Sequence, residues 1–333
     1  MKYYLTLLLF SLFFCNCSGQ QPKINGVSFV GSPKEISATH IEPVVKVHAN
    51  WAAVMPFGFI RNLKTPTIVF NTQRQWWGER REGAKKTIEL LNKRGIKVML
   101  KPQIWVGRGV FTGDISMDSE EGWNALESSY DSFIMLYAQL AEEMQVPLLC
   151  IGTELHSFVQ KRPDYWNRLI IKIRSVYKGK LTYAENWDQF DKAPFWDHLD
   201  YIGVDAYFPV SNSKTPSIED MRAGWQPHKN KIASLQKTIG KPVLFTEFGY
   251  RSIHYTAKEP WDSKRVIGNV NLEAQNNAMT ALYQEFWKEQ WFAGGFLWKW
   301  YHDHKTSGGE NNNRFTIQNK PSEKLIQKWY LDD

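Results

Sequence analysis

Residues 96–106 read Ile96-Lys97-Val98-Met99-Leu100-Lys101-Pro102-Gln103-Ile104-Trp105-Val106. In an extended chain Ile96, Val98, Leu100 and Ile104 share one face, and Lys97, Met99, Lys101, Gln103 and Trp105 share the other. An apolar face opposite one that turns polar toward its C-terminal end describes a strand that meets helices outside and a closed interior within. The same pattern recurs on both sides of it. Strands are predicted at 24–30, 51–57, 96–106, 148–156, 181–187, 201–210, 243–250 and 292–301. Amphipathic helical patterns separate them at 80–93, 120–143, 165–177, 218–238 and 272–290, with weaker ones at 35–48 and 321–329. Only 188–200 lacks a convincing helix. Eight strands alternating with helices predict a parallel sheet covered by helices. No linker, repeat or composition break divides the chain, and Gly107-Arg108-Gly109 is too weak a phosphate-loop match to hold a nucleotide. One closed (β/α)8 barrel over residues 24–333 is the simplest α/β architecture.

Parity then places side chains. On the sixth strand Ile202, Val204, Ala206 and Phe208 face outward, leaving Tyr201, Gly203, Asp205 and Tyr207 inward. On the fourth, Leu149, Ile151 and Leu155 face the helices, so Gly152, Glu154 and His156 are expected in the lumen. The seventh puts Val243, Phe245 and Glu247 on one face. Acidic and aromatic residues therefore collect at the C-terminal strand ends, the face on which such barrels carry their chemistry.

Composition agrees with a large folded body. The chain has 333 residues, 43% of them hydrophobic, enough for a substantial core without disulfide stapling. Fifteen Trp, fourteen Tyr and nineteen Phe suit flat, partly apolar ligands. The net charge of +7 comes from Lys and Arg interleaved with acids; its densest cluster, Arg80-Arg81-Glu82-Gly83-Ala84-Lys85-Lys86, reads as a solvated helix face, so no nucleic-acid partner is expected. At the N-terminus Lys2 precedes an apolar run from Tyr3 to Phe14, too short to span a bilayer in mature form. Residues 1–17 read as a secretory signal and 18–23 as a tether. Cys17, followed by Ser18-Gly19-Gln20, resembles the lipid-attachment site of a bacterial lipoprotein, with Cys15 second; simple cleavage near Gly19 is the alternative. The expected protein is exported and held at the cell envelope by acyl chains, or else secreted or periplasmic, and otherwise monomeric. Cys150, in an apolar run, reads as a buried inert thiol.

Glu154, Glu185, Asp205 and Glu247 all fall near strand ends. An inward carboxylate is costly to bury unless paired, and an ion pair with a neighbour such as Lys101 would explain any one of them. Four beside Trp51, Trp105, Trp187 and Trp298 point further. Two carboxylates with aromatic platforms are what glycoside hydrolysis requires: one protonates the departing oxygen, and the other attacks the anomeric carbon or activates water. Parity alone leaves Asp205 in contention for either role.

Ile151-Gly152-Thr153-Glu154-Leu155, Leu244-Phe245-Thr246-Glu247-Phe248-Gly249-Tyr250 and Leu297-Trp298-Lys299-Trp300 resemble the strand-four, strand-seven and strand-eight signatures of retaining (β/α)8 glycosidases. With residues 98–105, Asp205-Ala206-Tyr207-Phe208-Pro209 and Phe315-Thr316-Ile317-Gln318-Asn319-Lys320-Pro321, the set resembles glycoside hydrolase family 113, the β-1,4-mannanase family, across residues 24–330. The resemblance implies Glu154 as acid/base, Glu247 as nucleophile, Tyr207 as a hydrogen-bond donor to it and Trp298 as the floor of the cleavage subsite. Two residues depart from pattern. Thr153 stands where the wider superfamily has an Asn for the sugar 2-hydroxyl, a role left to Asn186 or another polar residue, and Gln103 stands where the strand-three motif has His. Together with Trp51, Lys101, Trp105, Trp187 and Asp205 these complete the expected substrate contacts. A retaining mechanism implies carboxyl groups roughly 5–5.5 Å apart, against about 6.5–9.5 Å for inversion. Xylan- or glucan-type hydrolysis and a non-catalytic glycan-binding barrel are the alternatives. No cofactor is expected. His302-Asp303-His304 carries metal-ligand types, but three consecutive residues rarely converge on one ion. Trp76-Trp77 could rim the cleft or pack beneath a loop.

Overall fold

The computed structural model describes residues 22–264 and 269–332. The Cys15 and Cys17 readings lie outside them. Among the described residues there are eleven strands: β1 (Ile24–Phe29), β2 (Trp51–Val54), β3 (Phe57–Ile60), β4 (Val69–Phe70), β5 (Lys97–Leu100), β6 (Gln103–Val106), β7 (Leu148–Thr153), β8 (Lys180–Asn186), β9 (Ile202–Asp205), β10 (Val243–Phe248) and β11 (Phe292–Trp300). The helices are α1 (Glu42–Lys46), α2 (Arg81–Asn92), α3 (Glu120–Glu143), α4 (His156–Lys161), α5 (Pro163–Val176), α6 (Ile218–Ile239), α7 (Leu272–Phe286) and α8 (Pro321–Asp332). Their ends follow local chemistry. Ser119 caps α3 by accepting from the Gly122 amide, with Glu120 and Glu121 in the first turn. Gly240, at φ 73°, ends α6 in the left-handed conformation that glycine adopts without strain.

Eight strands close into a parallel barrel in the order β1-β2-β5-β7-β8-β9-β10-β11, and β11 returns to β1. The (β/α)8 architecture read from the alternation is thus present. Between β8 and β9 only two 3-10 turns occur, Phe190–Lys192 and Trp196–His198, where no helix was expected. Two expected strands are each split by a proline. Residues 51–57 break at Met55-Pro56 and 96–106 break at Lys101-Pro102, because proline offers no amide hydrogen to continue a ladder. The chain restarts as β3 and β6, which pair with each other and, through β3, with β4 in a small sheet at the rim. Val98 and Leu100 pack outside with the helices, whereas Met99 joins Leu148, Cys150, Leu244 and Phe296 inside the barrel.

Two further departures decide the site. In β7 the register with β8 shifts between Cys150 and Thr153, and in β10 the register with β9 shifts between Phe245 and Glu247. Each is a bulge with one extra residue, which reverses the alternation beyond it. Gly152, expected in the lumen, therefore faces outward: a Cβ there would lie within 3 Å of Tyr183, Trp166 and Tyr130. Val243 and Phe245 pack against the helical shell, yet Glu247 turns into the barrel. Among the described residues no helix is long and apolar enough to cross a membrane.

Candidate active site

The C-terminal strand ends open on one cavity of about 870 Å³, inside the roughly 300–1,000 Å³ range of small-molecule sites. Glu154 and Glu247 both line it, with Gln103, Tyr207, Trp298 and Phe315. Trp105, 51% exposed, and the pair Asn186 and Trp187 form its outer walls.

Glu247, at the end of β10, is held by three donors. Lys101 Nζ donates to its Oε1 over 2.6 Å, Gln103 Nε2 to the same oxygen over 2.9 Å, and the Tyr207 hydroxyl to Oε2 over 2.9 Å. Burial, followed by the charges of Glu247 and Asp205, holds the Tyr207 phenol well above its ordinary pKa, so it remains a donor. Lys101 is fully buried. Burial alone would favour its neutral form, but Asp205 and Glu247 outweigh it and raise the ammonium above its usual value. Asp205 accepts from Lys101 over 3.1 Å and from Thr246 Oγ1 over 2.7 Å. Burial and the Glu247 charge push it up to about 7.

Glu154 sits where β7 turns into α4. Its φ of 50° lies in the left-handed region, unusual for a residue with a Cβ and the kind of local strain that collects at functional sites. Its amide donates to the Ala184 carbonyl over 2.8 Å, fixing the turn to β8. Desolvation on the cavity wall, then the charges of Asp205 and Glu247, raise its carboxyl well above the ordinary range, with Lys101 partly opposing. One carboxyl inclined to hold its proton thus shares a cavity with one that accepts three hydrogen bonds. That division suits an acid and a nucleophile.

The other expected site residues divide. Gln103, Trp105, Asn186, Trp187, Tyr207 and Trp298 reach the cavity. Lys101 and Asp205 do not: both are completely buried behind Glu247, out of reach of a substrate. Trp51 is at the wrong end. It opens β2 at the N-terminal face, edge-on to Phe296 at 6.3 Å with the Lys97 ammonium 5.8 Å from its ring centroid, and it packs the barrel floor. Glu185 is buried below the rim, accepting from the Asn186 amide at 2.9 Å with His156 Nδ1 3.9 Å away. Asn186 spends its side chain on the Trp187 amide and Asp188. Neither Trp76 nor Trp77 lines the cavity. His304 pairs with Glu323 over 2.6 Å, and among the described residues no group of three or more potential metal ligands occurs. Burial pushes the Cys150 thiol up to about 11, as an inert interior cysteine requires.

Sequence reasoning missed Trp261. This half-exposed ring stacks on Trp187 with centroids 5.0 Å apart and planes at 18°, adding a second aromatic to the wall. It was also blind to Glu79 and Lys299, which line the cavity too. Trp261 sits in a turn and Glu79 ends the 3-10 helix Trp77–Glu79, both outside any strand, where alternation carries no information.

Similarity to known proteins identifies the family. The sequence model of Glycoside Hydrolase Family 113 matches residues 32–320. No curated protein matches the chain. Among solved structures, a GH113 β-mannanase from Alicyclobacillus acidocaldarius in complex with ManMIm superposes with a TM-score of 0.81 at 23% identity, covering 93% of this chain and 97% of that one. A GH113 β-1,4-mannanase complex gives 0.80 at 22%, over 93% and 99%. A β-glucuronidase from Faecalibacterium prausnitzii gives 0.64 at 15%, over 93% of this chain and 49% of that one. These structural likenesses establish the (β/α)8 fold. The family match, spanning most of the barrel and both glutamates, establishes that the chain is a glycosidase belonging to glycoside hydrolase family 113.

Proposed function

We propose that the protein is an exported retaining hydrolase of β-1,4-mannosidic linkages in mannan or manno-oligosaccharides. The observation that carries the mechanism is the cavity shared by Glu154 and Glu247, with three donors on the second and a raised pKa on the first. The names of the similar structures, β-mannanase and β-1,4-mannanase, support the substrate class. Glu154 gives its proton to the glycosidic oxygen while Glu247 attacks the anomeric carbon. The carbon–oxygen bond breaks, and its electron pair leaves with the protonated oxygen. Oε1 of Glu247 already accepts twice, whereas among the described residues Oε2 accepts only from Tyr207 and keeps a lone pair for attack. Once Glu247 is esterified its charge is gone, Glu154 becomes more acidic, and its carboxylate takes a proton from water. That water attacks the same carbon and releases Glu247. Trp298 offers its face to the sugar at the cleavage point, and Trp105 and the Trp187–Trp261 stack offer platforms beyond it.

The test is Glu247→Ala assayed on manno-, xylo- and gluco-oligosaccharides. Turnover of manno-oligosaccharides should vanish, and azide should restore it with an azide product of inverted configuration. Full residual activity would remove the assignment, preference for xylo- or gluco-oligosaccharides would replace the substrate, and binding without cleavage by the parent chain would favour the glycan-binding alternative. The N-terminal pattern supports export with lipid on Cys17 and a monomeric catalytic body. Cys17→Ala should then release the protein from the membrane fraction, and unchanged membrane retention would argue against that anchor.

A further inference from the structure

Lys101 and Asp205 lie behind the nucleophile, and no step described above uses Asp205. Their side chains are 0% and 1% exposed. The Lys101 ammonium donates to both Asp205 oxygens, at 3.1 and 3.4 Å, and to Glu247 Oε1 at 2.6 Å. One buried cation is therefore shared by two carboxylates. Among the described residues Cys150, Glu154 and Tyr207 also act on this cluster, and the further cation that does so, Lys299 on the cavity wall, is coupled to Glu247 and not to Asp205.

Resting on the double-displacement reading, we infer that Asp205 is a positioning residue that keeps the buried Lys101 ammonium compensated while Glu247 is esterified. In the free enzyme Lys101 faces two negative charges. Bond formation from Glu247 to the anomeric carbon consumes one of them, as the departing oxygen takes the Glu154 proton and its own bonding pair. A buried ammonium left alone is strongly disfavoured. Asp205 remains beside it, so the covalent intermediate holds a balanced pair. Attack by water then returns the Glu247 carboxylate to a cation that has not moved. The electrostatics run the same way: the Glu247 charge is one cause of the raised Asp205 pKa, and its loss in the intermediate favours the Asp205 anion when it is needed.

Asp205→Asn removes the charge at nearly constant volume. On a 2,4-dinitrophenyl β-mannobioside, kcat/KM reports formation of the glycosyl-enzyme and kcat its hydrolysis. Without Asp205 the intermediate is destabilised relative to the free enzyme. The expected result is a fall in kcat/KM of at least about tenfold, the factor that one pKa unit of differential interaction carries. Meanwhile kcat holds or rises, and the burst of dinitrophenolate seen with the parent disappears. The Lys101→Met/Asp205→Asn double variant removes cation and counter-ion together and should regain the burst. An Asp205→Asn chain that fails to fold, beside a double variant that folds and bursts, supports the same fault, an uncompensated ammonium. Equal losses in kcat and kcat/KM with the burst intact, or no recovery in the double variant, overturn the role. A parent enzyme without a burst, together with a Glu247→Ala variant that azide does not rescue, withdraws double displacement and this role with it. A normal parent burst with proportionate losses in Asp205→Asn withdraws the Asp205 role alone.

Discussion

Tyr207→Phe isolates one hydrogen bond on Glu247, the nucleophile of the proposed double displacement, and fixes which half of that reaction it serves. The hydroxyl lies 2.9 Å from Glu247 Oε2, and the ring is buried with its edge toward Phe315 at a centroid distance of 6.0 Å. Phenylalanine keeps that packing and deletes only the donor. A hydrogen bond to a charged group contributes about 1.5–3 kcal/mol. At 1.36 kcal/mol per decade of rate, this corresponds to about ten- to a hundredfold. The position in the cycle follows from the charge. The donor stabilises the Glu247 carboxylate and has no anion to stabilise while Glu247 is an ester. Its removal therefore raises the free enzyme relative to the glycosyl-enzyme, and the step that regenerates the carboxylate slows. On a dinitrophenyl β-mannobioside, kcat should fall about ten- to a hundredfold, with KM falling alongside it as the intermediate accumulates and kcat/KM moving only a few-fold. Steady-state and burst kinetics read both quantities. A tenfold or greater loss in kcat/KM with KM unchanged would refute the reasoning, because the hydroxyl would then act in the first step or on the substrate itself. The sign is opposite to that of Asp205→Asn, so the two variants also check each other.

Glu154→Gln should abolish hydrolysis of unactivated mannobiosides yet leave glycosyl-enzyme formation from the dinitrophenyl substrate, whose leaving group needs no proton; equal loss on both would remove the acid role. In the proposed mechanism the working form of Glu154 is protonated, so parental kcat/KM should fall as pH rises through its elevated pKa, and a Glu154→Gln variant assayed on the dinitrophenyl substrate should lack that alkaline limb. On the acid side, Asp205 takes a proton as pH falls through about 7, leaving Lys101 with Glu247 alone; kcat/KM should decline there in the parent and stay flat in Asp205→Asn. Trp261→Ala deletes half of the stack on Trp187; at about 0.5–1.5 kcal/mol for an aromatic pair, KM for long manno-oligosaccharides should rise several-fold with kcat unchanged, and no change in KM would place the ring outside the binding path. Gly203→Ala would set a Cβ 2.0 Å from the Tyr183 carbonyl oxygen; such overpacking costs about 1–3 kcal/mol, and a thermal melt unmoved by the substitution would contradict the packing described.

Much of this arrangement was legible because the barrel writes its two faces into the strands. Residues 201–208 alternate as read, with Ile202, Val204 and Phe208 in the helical shell and Tyr201 inside. Tryptophans were harder. Trp51 and Trp105 both belong to strands with inward parity, yet one begins its strand and packs the floor while the other stands at the rim, 51% exposed. Composition alone cannot tell a platform from a floor. Lys101 and Asp205 were found as members of the site but assigned to the substrate, because parity gives a direction and not a depth.

The alternation failed at Gly152 and Glu247, and the two failures share a cause. Carried unbroken along β10, the pattern of Val243 and Phe245 would have pointed Glu247 at the helices, into an apolar shell with no donor for a carboxylate. Two residues of β10 oppose one of β9 between Phe245 and Glu247. That single extra residue turns the side chain inward to Lys101, Gln103 and Tyr207. On β7 the extra residue sits between Cys150 and Thr153, and the left-handed turn at Glu154 follows it. Bulges of this kind re-aim a side chain at the cost of regular pairing. Here each strand keeps its ladder until just below its glutamate and breaks there. The barrel can therefore be rigid beneath the two carboxyls and irregular only where they enter the cavity, and for that reason a rule of strict alternation finds the barrel and the inward Glu154 and Asp205 but not the direction of Glu247.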